Sequence, residues 1–243
     1  AYEIGVRLVG SEMCIRDSRW AFSVGRESRS YRLAGEPMPK VLATKYKLAD
    51  KLVFSKLKEK MGGNIEFFIS GSAKLSSQVQ EWFYSAGITV VEGYGMTETS
   101  AVASVNLPAT PRFGTVGPIL PGIEAKIADD GELLLKGPTI TKGYHNSPET
   151  NEESYTDGWF HTGDIGEMDA DGYITITDRK KDLMKTSGGK YVAPQKVEAA
   201  IAANIPYVSQ AVALGEGRKY IVALVTLDPV SLQKWGEHHG HAE

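Results

Sequence analysis

Three short polar segments carry the side chains best suited to chemistry. Glu92-Gly93-Tyr94-Gly95-Met96-Thr97-Glu98-Thr99 sets an aromatic ring, hydroxyls and carboxylates around two glycines. Trp159-Phe160-His161-Thr162-Gly163-Asp164 ends on a carboxylate, and Asp178-Arg179-Lys180-Lys181-Asp182 packs a guanidinium and two ammonium groups into five residues. A carboxylate can accept two hydrogen bonds at once or coordinate a hard cation. The arginine fork is planar and always charged, and a tyrosine ring offers a flat face. Each segment also has a plain structural alternative: a glycine turn with an incidental polar tail, a Thr-Gly-Asp turn, or a solvated charged turn.

The elements around them set where these groups stand. Ile65–Ile69 reads as a buried strand, Ser76–Ala86 as a helix and Ile88–Glu92 as a second strand running into the glycine-flanked turn. Strand, helix and strand in that order imply a parallel sheet, whose strand ends are where ligands gather. Upstream, Lys40–Lys60 is a basic helical stretch with Val41, Leu42, Leu48, Leu52, Val53 and Leu57 at three- and four-residue spacings, ended by Gly62-Gly63. Its lysines could attract an anionic membrane surface, although a solvated helix face is the preferred reading. From Thr115 to Thr177, alternating runs (Glu124–Ile127, Glu132–Leu135, Tyr173–Ile176) are split by Asp129-Asp130-Gly131, Asp157-Gly158 and Asp171-Gly172, as in a small antiparallel barrel or sheet. Beyond Asp182 a helix from Pro194 to Ile201 precedes strands at Val208–Leu214 and Tyr220–Leu227.

Composition narrows the class. The 243 residues, 42% hydrophobic and 23% charged, are enough for one or two globular domains. A net charge of −3 argues against a nucleic-acid partner, and no apolar run is long enough to span a bilayer. The single cysteine, Cys14, excludes an internal disulfide and suits a cytoplasmic setting. His238, His239 and His241 are expected to be solvent-exposed rather than metal-bound. Ala1–Ser18 fits nothing that follows and is expected to be a non-native leader.

In order and spacing the three segments resemble the adenylate-forming acyl-CoA synthetases, most closely those acting on long-chain fatty acids. The resemblance runs from Arg19 to about Gly240. It implies an α/β fold: the C-terminal part of a large adenylate-forming domain, with a parallel sheet, helices and a small antiparallel barrel, then a smaller α+β domain. It also implies the roles. Tyr94 would stack on adenine, with Gly93, Gly95 and Met96 around it; Thr97 would meet the α-phosphate and Glu98 would hold magnesium. Asp164 would accept both ribose hydroxyls, Arg179 would add a ribose or phosphate contact, and Ile176 would line the adenylate. Lys181 falls where the family places its hinge. Gly71, Ser72 and Ala73 match the family's small-residue turn, which lets the ligand approach the backbone; proline is usual at Lys74 and a second glycine at Ser72. Lys185, Gly188, Gly189 and Lys190 would face coenzyme A, and their Thr186-Ser187-Gly188-Gly189-Lys190 run lacks the spacing of a Walker loop. His161 would be structural.

Two family features have no counterpart here: the upstream Ser/Thr/Gly-rich loop ending in lysine, and the adenylation lysine of a Gly-Lys pair late in the small domain. The expected organisation is a leader (1–18), an α/β part with the adenine turn (19–114), a barrel-like part (115–177), a hinge (178–182) and a truncated small domain (183–243). The expected activity is ATP-dependent ligation of a long-chain fatty acid to coenzyme A, using ATP, Mg2+ and coenzyme A, with the chain as given inactive alone. Two alternatives stay open: activation of another carboxylic acid, and a non-catalytic nucleotide-binding fragment.

Overall fold

A computed structural model describes residues 15–239 and divides the chain into two compact units. One comprises the chain up to Pro121 with Ala170–Ile174; the other comprises Gly122–Asp169 and the chain from Thr175. Cys14, His241 and most of the expected leader lie outside the described residues, whereas residues 15–18 open the first helix.

The first unit is built on helices α1 (Ile15–Ala34), α2 (Lys40–Ala49) and α3 (Ser55–Lys60), the last two joined through a π-helical turn at Asp50–Phe54. Strand β1 (Phe67–Ser70), helix α4 (Ser77–Ser85) and strand β2 (Thr89–Tyr94) follow, and β1 and β2 pair in parallel as expected. A short strand β3 (Ser104–Val105) runs antiparallel to β2. The core lies between the helices: Phe22 stacks on Trp82 at 4.5 Å and meets Phe54 edge-on at 5.3 Å. The Arg32 guanidinium lies between the rings of Tyr46 and Tyr84, 4.8 and 4.5 Å from their centroids.

The helical stretch is two-sided, and the expectation of a buried strand at 65–69 needs correction. The apolar residues of 40–60 do not form one buried face: Leu42, Val53 and Leu57 are buried, while Val41, Leu48 and Leu52 are exposed. They occupy different sides of the helix, and the wider π-turn shifts the angular register partway along it. Nor is β1 buried, since Phe67 and Ile69 are exposed. Among the described residues it pairs with β2 alone.

Strand β4 (Gly117–Pro118), also in the first unit, pairs with Tyr173–Ile174. The second unit is an antiparallel sheet of β5 (Glu124–Ile127), β6 (Glu132–Lys136), β8 (Trp159–Met168) and the remainder of β9 (Tyr173–Arg179), with β7 (Tyr155–Thr156) added to β8 after a short helix α5 (Pro148–Ser154). Glu132–Leu135 are buried throughout and Phe160 packs with them. A hairpin of β10 (Met184–Lys185) and β11 (Tyr191–Val192) follows, then α6 (Pro194–Asn204), β12 (Val208–Leu214), β13 (Val222–Leu227) and α7 (Pro229–His239). The predicted helix from Pro194 and strand from Val208 are present. The second strand starts at Val222, after a turn in which Gly217 takes φ +68°. The backbone of His238 and His239 belongs to α7. Among the described residues no helix is long and apolar enough to cross a membrane.

Candidate functional site

In the first unit the candidate residues gather where β1 and β2 end. The parallel register sets Ser70 opposite Glu92, so the Gly71–Leu75 turn and the Gly93–Thr99 turn leave the sheet side by side. Tyr94 closes β2, Met96 is extended, and Thr97–Thr99 form one 3-10 turn. Thr99 braces that turn from within: its Oγ1 accepts the Met96 N–H at 3.0 Å and lies 3.0 Å from the Met96 carbonyl. Thr97 is exposed while Tyr94 and Glu98 are half-buried.

The glycines divide by purpose. A Cβ on Gly95 would sit 1.7 Å from the Ala101 carbonyl oxygen, so the turn itself demands glycine. A Cβ on Gly71 or Gly93 would meet nothing closer than 3.7 or 3.5 Å, so packing within the chain does not require glycine at either position. Ser72 takes φ +66°, a left-handed conformation that a glycine would adopt freely.

In the second unit the Thr162–Asp164 segment is a bulge inside the longest strand among the described residues, not the turn that was its structural alternative. From Glu132 to Leu134 β6 advances two residues, while the paired positions on β8 go from Ile165 back to His161, which is four. The excess is accommodated at Thr162–Gly163–Asp164, where Gly163 takes φ +72°. Bulges re-aim side chains and end regular pairing. Thr162 donates its hydroxyl to the Leu133 carbonyl at 2.7 Å and accepts the Asp164 N–H at 3.1 Å.

Asp164 and Arg179, fifteen positions apart in sequence, are brought together: Arg179 Nε lies 3.2 Å from Asp164 Oδ1. The carboxylate is almost wholly buried and the guanidinium half-exposed. Beside them a cavity of about 310 Å³ is lined by Thr162, Gly163, Arg179, Lys180 and Lys181. Lys181 sits in the 3-10 turn Lys180–Asp182 that ends β9. Ile176 is half-buried on β9, its Cδ1 close to where a Cβ on Gly166 would stand. His161 is held on both ring nitrogens, Nδ1 3.0 Å from Glu132 Oε2 and Nε2 3.1 Å from Thr156 Oγ1. Burial raises the pKa of Asp178, behind the Lys180–Asp182 turn, against the pull of the Arg179 amide it accepts.

The Lys185–Lys190 segment forms the β10–β11 hairpin loop. Thr186 Oγ1 contacts both the Lys190 carbonyl and its N–H, at 3.1 and 3.2 Å, and Gly189 turns at φ +80°. A Cβ on Gly188 would meet only Thr186 Oγ1, at 4.0 Å, and one on Gly189 nothing within 4 Å. The loop is tied to 215–218 by the Lys185 amide on Glu216 Oε2 at 2.7 Å and the Ser187 amide on the Arg218 carbonyl at 2.9 Å.

The family model of AMP-binding enzymes matches residues 11–145, over half of the chain, and the AMP-binding enzyme C-terminal domain matches residues 181–238. The chain belongs to the AMP-binding enzyme family. FadD15 of Mycobacterium bovis, named a long-chain-fatty-acid–CoA ligase, is 41% identical over 199 residues, which cover 82% of this chain and 33% of FadD15. A Mycobacterium tuberculosis relative, fadD11, named as a candidate fatty-acid–CoA ligase, is 41% identical over 223 residues, covering 91% of this chain and 39% of fadD11. Among solved structures, o-succinylbenzoate CoA synthetase (MenE) of Bacillus subtilis in complex with its acyl-adenylate intermediate OSB-AMP aligns with a TM-score of 0.62 at 30% identity, over 72% of this chain and 39% of MenE. The chain thus spans between a third and two fifths of the length of these relatives.

Sequence reasoning assigned no role to two buried carboxylates, Glu92 and Glu132. Glu92 Oε1 accepts the Leu75 amide at 2.7 Å, pinning the Gly71–Leu75 turn to β2; burial raises its pKa against the pull of that amide and of Lys74. Glu132 holds the Asp164 bulge in the same manner. Neither looks catalytic in sequence: Glu92 reads as the end of a strand, and Glu132 as one residue of a Gly-Glu-Leu run entering another.

Proposed function

We propose that the chain carries the adenylate-holding and thioester-forming parts of an ATP-dependent long-chain fatty acid:CoA ligase. The pairing of Asp164 with Arg179 at 3.2 Å beside an open cationic cavity carries the reading. It sets an acceptor for ribose hydroxyls next to a donor for ribose or phosphate oxygens. In the reaction, a fatty-acid carboxylate oxygen bonds to the α-phosphorus of ATP as the bond to pyrophosphate breaks. The thiol of coenzyme A then loses its proton and attacks the acyl carbonyl, and AMP leaves. Both steps depend on positioning and charge stabilisation.

Tyr94 would present its ring to adenine, Gly71, Ser72, Ala73, Gly93, Gly95 and Met96 would bring backbone close to the nucleotide, and Ile176 would add apolar contact. Thr97 would donate to the α-phosphate. Glu98 suits Mg2+: a single carboxylate on a braced turn fits a cation that keeps waters and takes its other ligands from phosphates. Bound there, the ion would neutralise phosphate charge. Lys181 would be the pivot about which the segment from residue 183 turns between the two steps, and Lys185, Gly188, Gly189 and Lys190 would face coenzyme A.

A second reading, activation of another carboxylic acid, draws support from the likeness to MenE, whose acyl-adenylate is not that of a fatty acid by its name. Calorimetry with a non-hydrolysable palmitoyl-adenylate analogue tests both readings. Saturable binding lost in Asp164→Ala and Arg179→Ala, with an aryl-adenylate analogue bound at least tenfold more weakly, supports the first. Tighter binding of the aryl analogue supports the second, and no binding of either by the folded chain rejects adenylate binding by this chain.

A further inference from the structure

Glu132 is a buried and heavily engaged carboxylate, and the adenylate reading assigns it nothing. Its side chain is 4% exposed and takes three partners. Oε1 accepts the Gly163 N–H at 2.8 Å; Oε2 accepts Lys180 Nζ at 2.8 Å and lies 3.0 Å from His161 Nδ1. Lys180 also reaches Asp130 Oδ2 at 2.6 Å, and Asp130 Oδ1 accepts the Glu132 N–H at 3.1 Å. One carboxylate therefore grips the residue before Asp164 with one oxygen and the residue after Arg179 with the other.

The local fold gives this grip a purpose. Gly163 stands in the bulge, where regular cross-strand pairing with β6 is interrupted, so the Glu132 side chain takes the role a ladder partner would otherwise have. The 3-10 turn Lys180–Asp182 lies where β9 has ended, and Lys180 anchors it back to the sheet. Without Glu132 neither segment keeps this tie, and on the adenylate reading it is Asp164 and Arg179, 3.2 Å apart, that meet the ribose together. A buried carboxylate also keeps its charge only while paired. Burial pushes the Glu132 pKa up, but His161, Lys180 and the Gly163 amide together hold it below the ordinary glutamate range.

We infer that Glu132 is a positioning residue for nucleotide binding: it holds the Gly163 backbone and Lys180 so that the Asp164–Arg179 pair meets the ribose hydroxyls. This rests on the adenylate reading above. Its role is one of geometry, and no atom of Glu132 need touch the ligand.

The test compares AMP with 2′,3′-dideoxy-AMP by calorimetry on the full chain, for wild type, Asp164→Ala, Glu132→Leu, Glu132→Gln and Lys180→Met. Hydrogen exchange of the 160–166 and 178–182 segments is followed alongside. The wild type should prefer AMP at least tenfold, and Asp164→Ala should lose that preference. Glu132→Leu should lose it too, with faster exchange in both segments but not in 184–192. Glu132→Gln keeps an acceptor for the Gly163 amide while losing the charge that holds Lys180, so it should retain part of the preference and speed exchange mainly in 178–182. If Glu132→Leu does not fold, Lys180→Met breaks the same link from the other side and should at least halve the preference. A folded Glu132→Leu or Lys180→Met that keeps the wild-type preference overturns the inference. Wild-type chain that binds neither nucleotide refutes the adenylate reading instead. Even then, unchanged exchange in Glu132→Leu would show that Glu132 does not hold these segments, whereas faster exchange would uphold that part of the claim.

Discussion

Gly93 and Gly95 flank the same tyrosine, yet alanine should act on them in opposite ways. At Gly95 the new Cβ would lie 1.7 Å from the Ala101 carbonyl oxygen, 2.7 Å from its carbon and 2.8 Å from Val102 Cα, all backbone atoms. None can swing aside as a side-chain tip can. The loop is further fixed by the Ala101 amide on the Met96 carbonyl at 3.2 Å and the Ala103 amide on the Tyr94 carbonyl at 2.9 Å. Relief must therefore come from moving the Thr97–Ala101 backbone, an overpacking cost of about 1–3 kcal/mol or more. For domains of this size that is a fall in melting temperature of roughly 3–10 °C. At Gly93 the Cβ would meet Ser104 O at 3.5 Å, Ile69 Cγ2 at 3.6 Å and Val105 Cγ2 at 3.8 Å, all ordinary contacts. Alanine in a strand also regains about 0.5–1 kcal/mol of backbone entropy, so the Gly93→Ala chain should melt at or slightly above the wild-type temperature. If the glycine is kept for close approach of the nucleotide, the added methyl should still weaken AMP at least tenfold. Differential scanning calorimetry and isothermal titration on both variants decide the matter. Unchanged AMP affinity in Gly93→Ala refutes the close-approach argument, and an unchanged melting temperature in Gly95→Ala refutes the turn geometry.

Three further outcomes are expected. Ser72→Gly relieves a left-handed serine at φ +66°, a conformation that costs an L-residue about 1–2 kcal/mol, partly offset by glycine's greater freedom when unfolded. Thermal melts should show a small gain, and a loss of more than about 1 kcal/mol would refute the argument. Leu57→Ala, at a fully buried site, should cost about 2–5 kcal/mol in urea titration, while Leu52→Ala, exposed on the same helical run, should stay within about 0.5 kcal/mol; equal costs would contradict the two-sided helix. The raised pKa of Glu92 means that the folded chain binds its proton more tightly than the unfolded chain. Stability from this group is therefore complete below the ordinary value of 4.5 and falls as pH rises through the folded value. Glu92→Gln keeps an acceptor for the Leu75 amide, so its melting temperature should exceed the wild type's at pH 7 and match it at pH 4, and a wild-type advantage at pH 7 would count against the assignment.

Much of the framework was legible because it is written in local pattern. Glycine pairs and Asp-Gly steps marked the ends of the helical run and several strand junctions, alternation marked Glu124–Ile127, and Pro194 marked the start of α6. What could not be read depends on pairing between distant segments. The π-turn at Asp50–Phe54 leaves no signature in a stretch that already mixes three- and four-residue spacings. Phe67 and Ile69 share one face of β1 that nothing among the described residues covers, and composition does not reveal that. Trp159–Asp164 read as a motif and belongs to a ten-residue strand, Trp159–Met168, which went unread because the Thr-Gly-Asp centre breaks the alternation that would have announced it.

The candidate site shows the same division. Residues whose type alone suggests chemistry, such as Tyr94, Asp164 and Arg179, are recognisable by type and order. The residues that hold them are not, since a buried glutamate acquires its meaning only from whatever amide the register brings opposite it. Glu92 meets the Leu75 amide because β1 and β2 pair with Ser70 opposite Glu92, and Glu132 meets the Gly163 amide because β8 carries two residues more than β6 at that point. Each carboxylate lies on a strand bordering a loop with interrupted ladder pairing, and each takes one of that loop's N–H groups. A loop that must leave its own amides and carbonyls open to a ligand cannot be stiffened by regular pairing, so its rigidity has to come from side chains beneath it. Carboxylates suit that task, since an ionised oxygen makes a stronger hydrogen bond to an amide than a neutral acceptor does. The cost is a buried charge, met at Glu132 by Lys180 and His161, while at Glu92 it appears as a raised pKa. On this argument, removing the charge at Glu92 should relieve the first unit, whereas removing it at Glu132 should loosen the second.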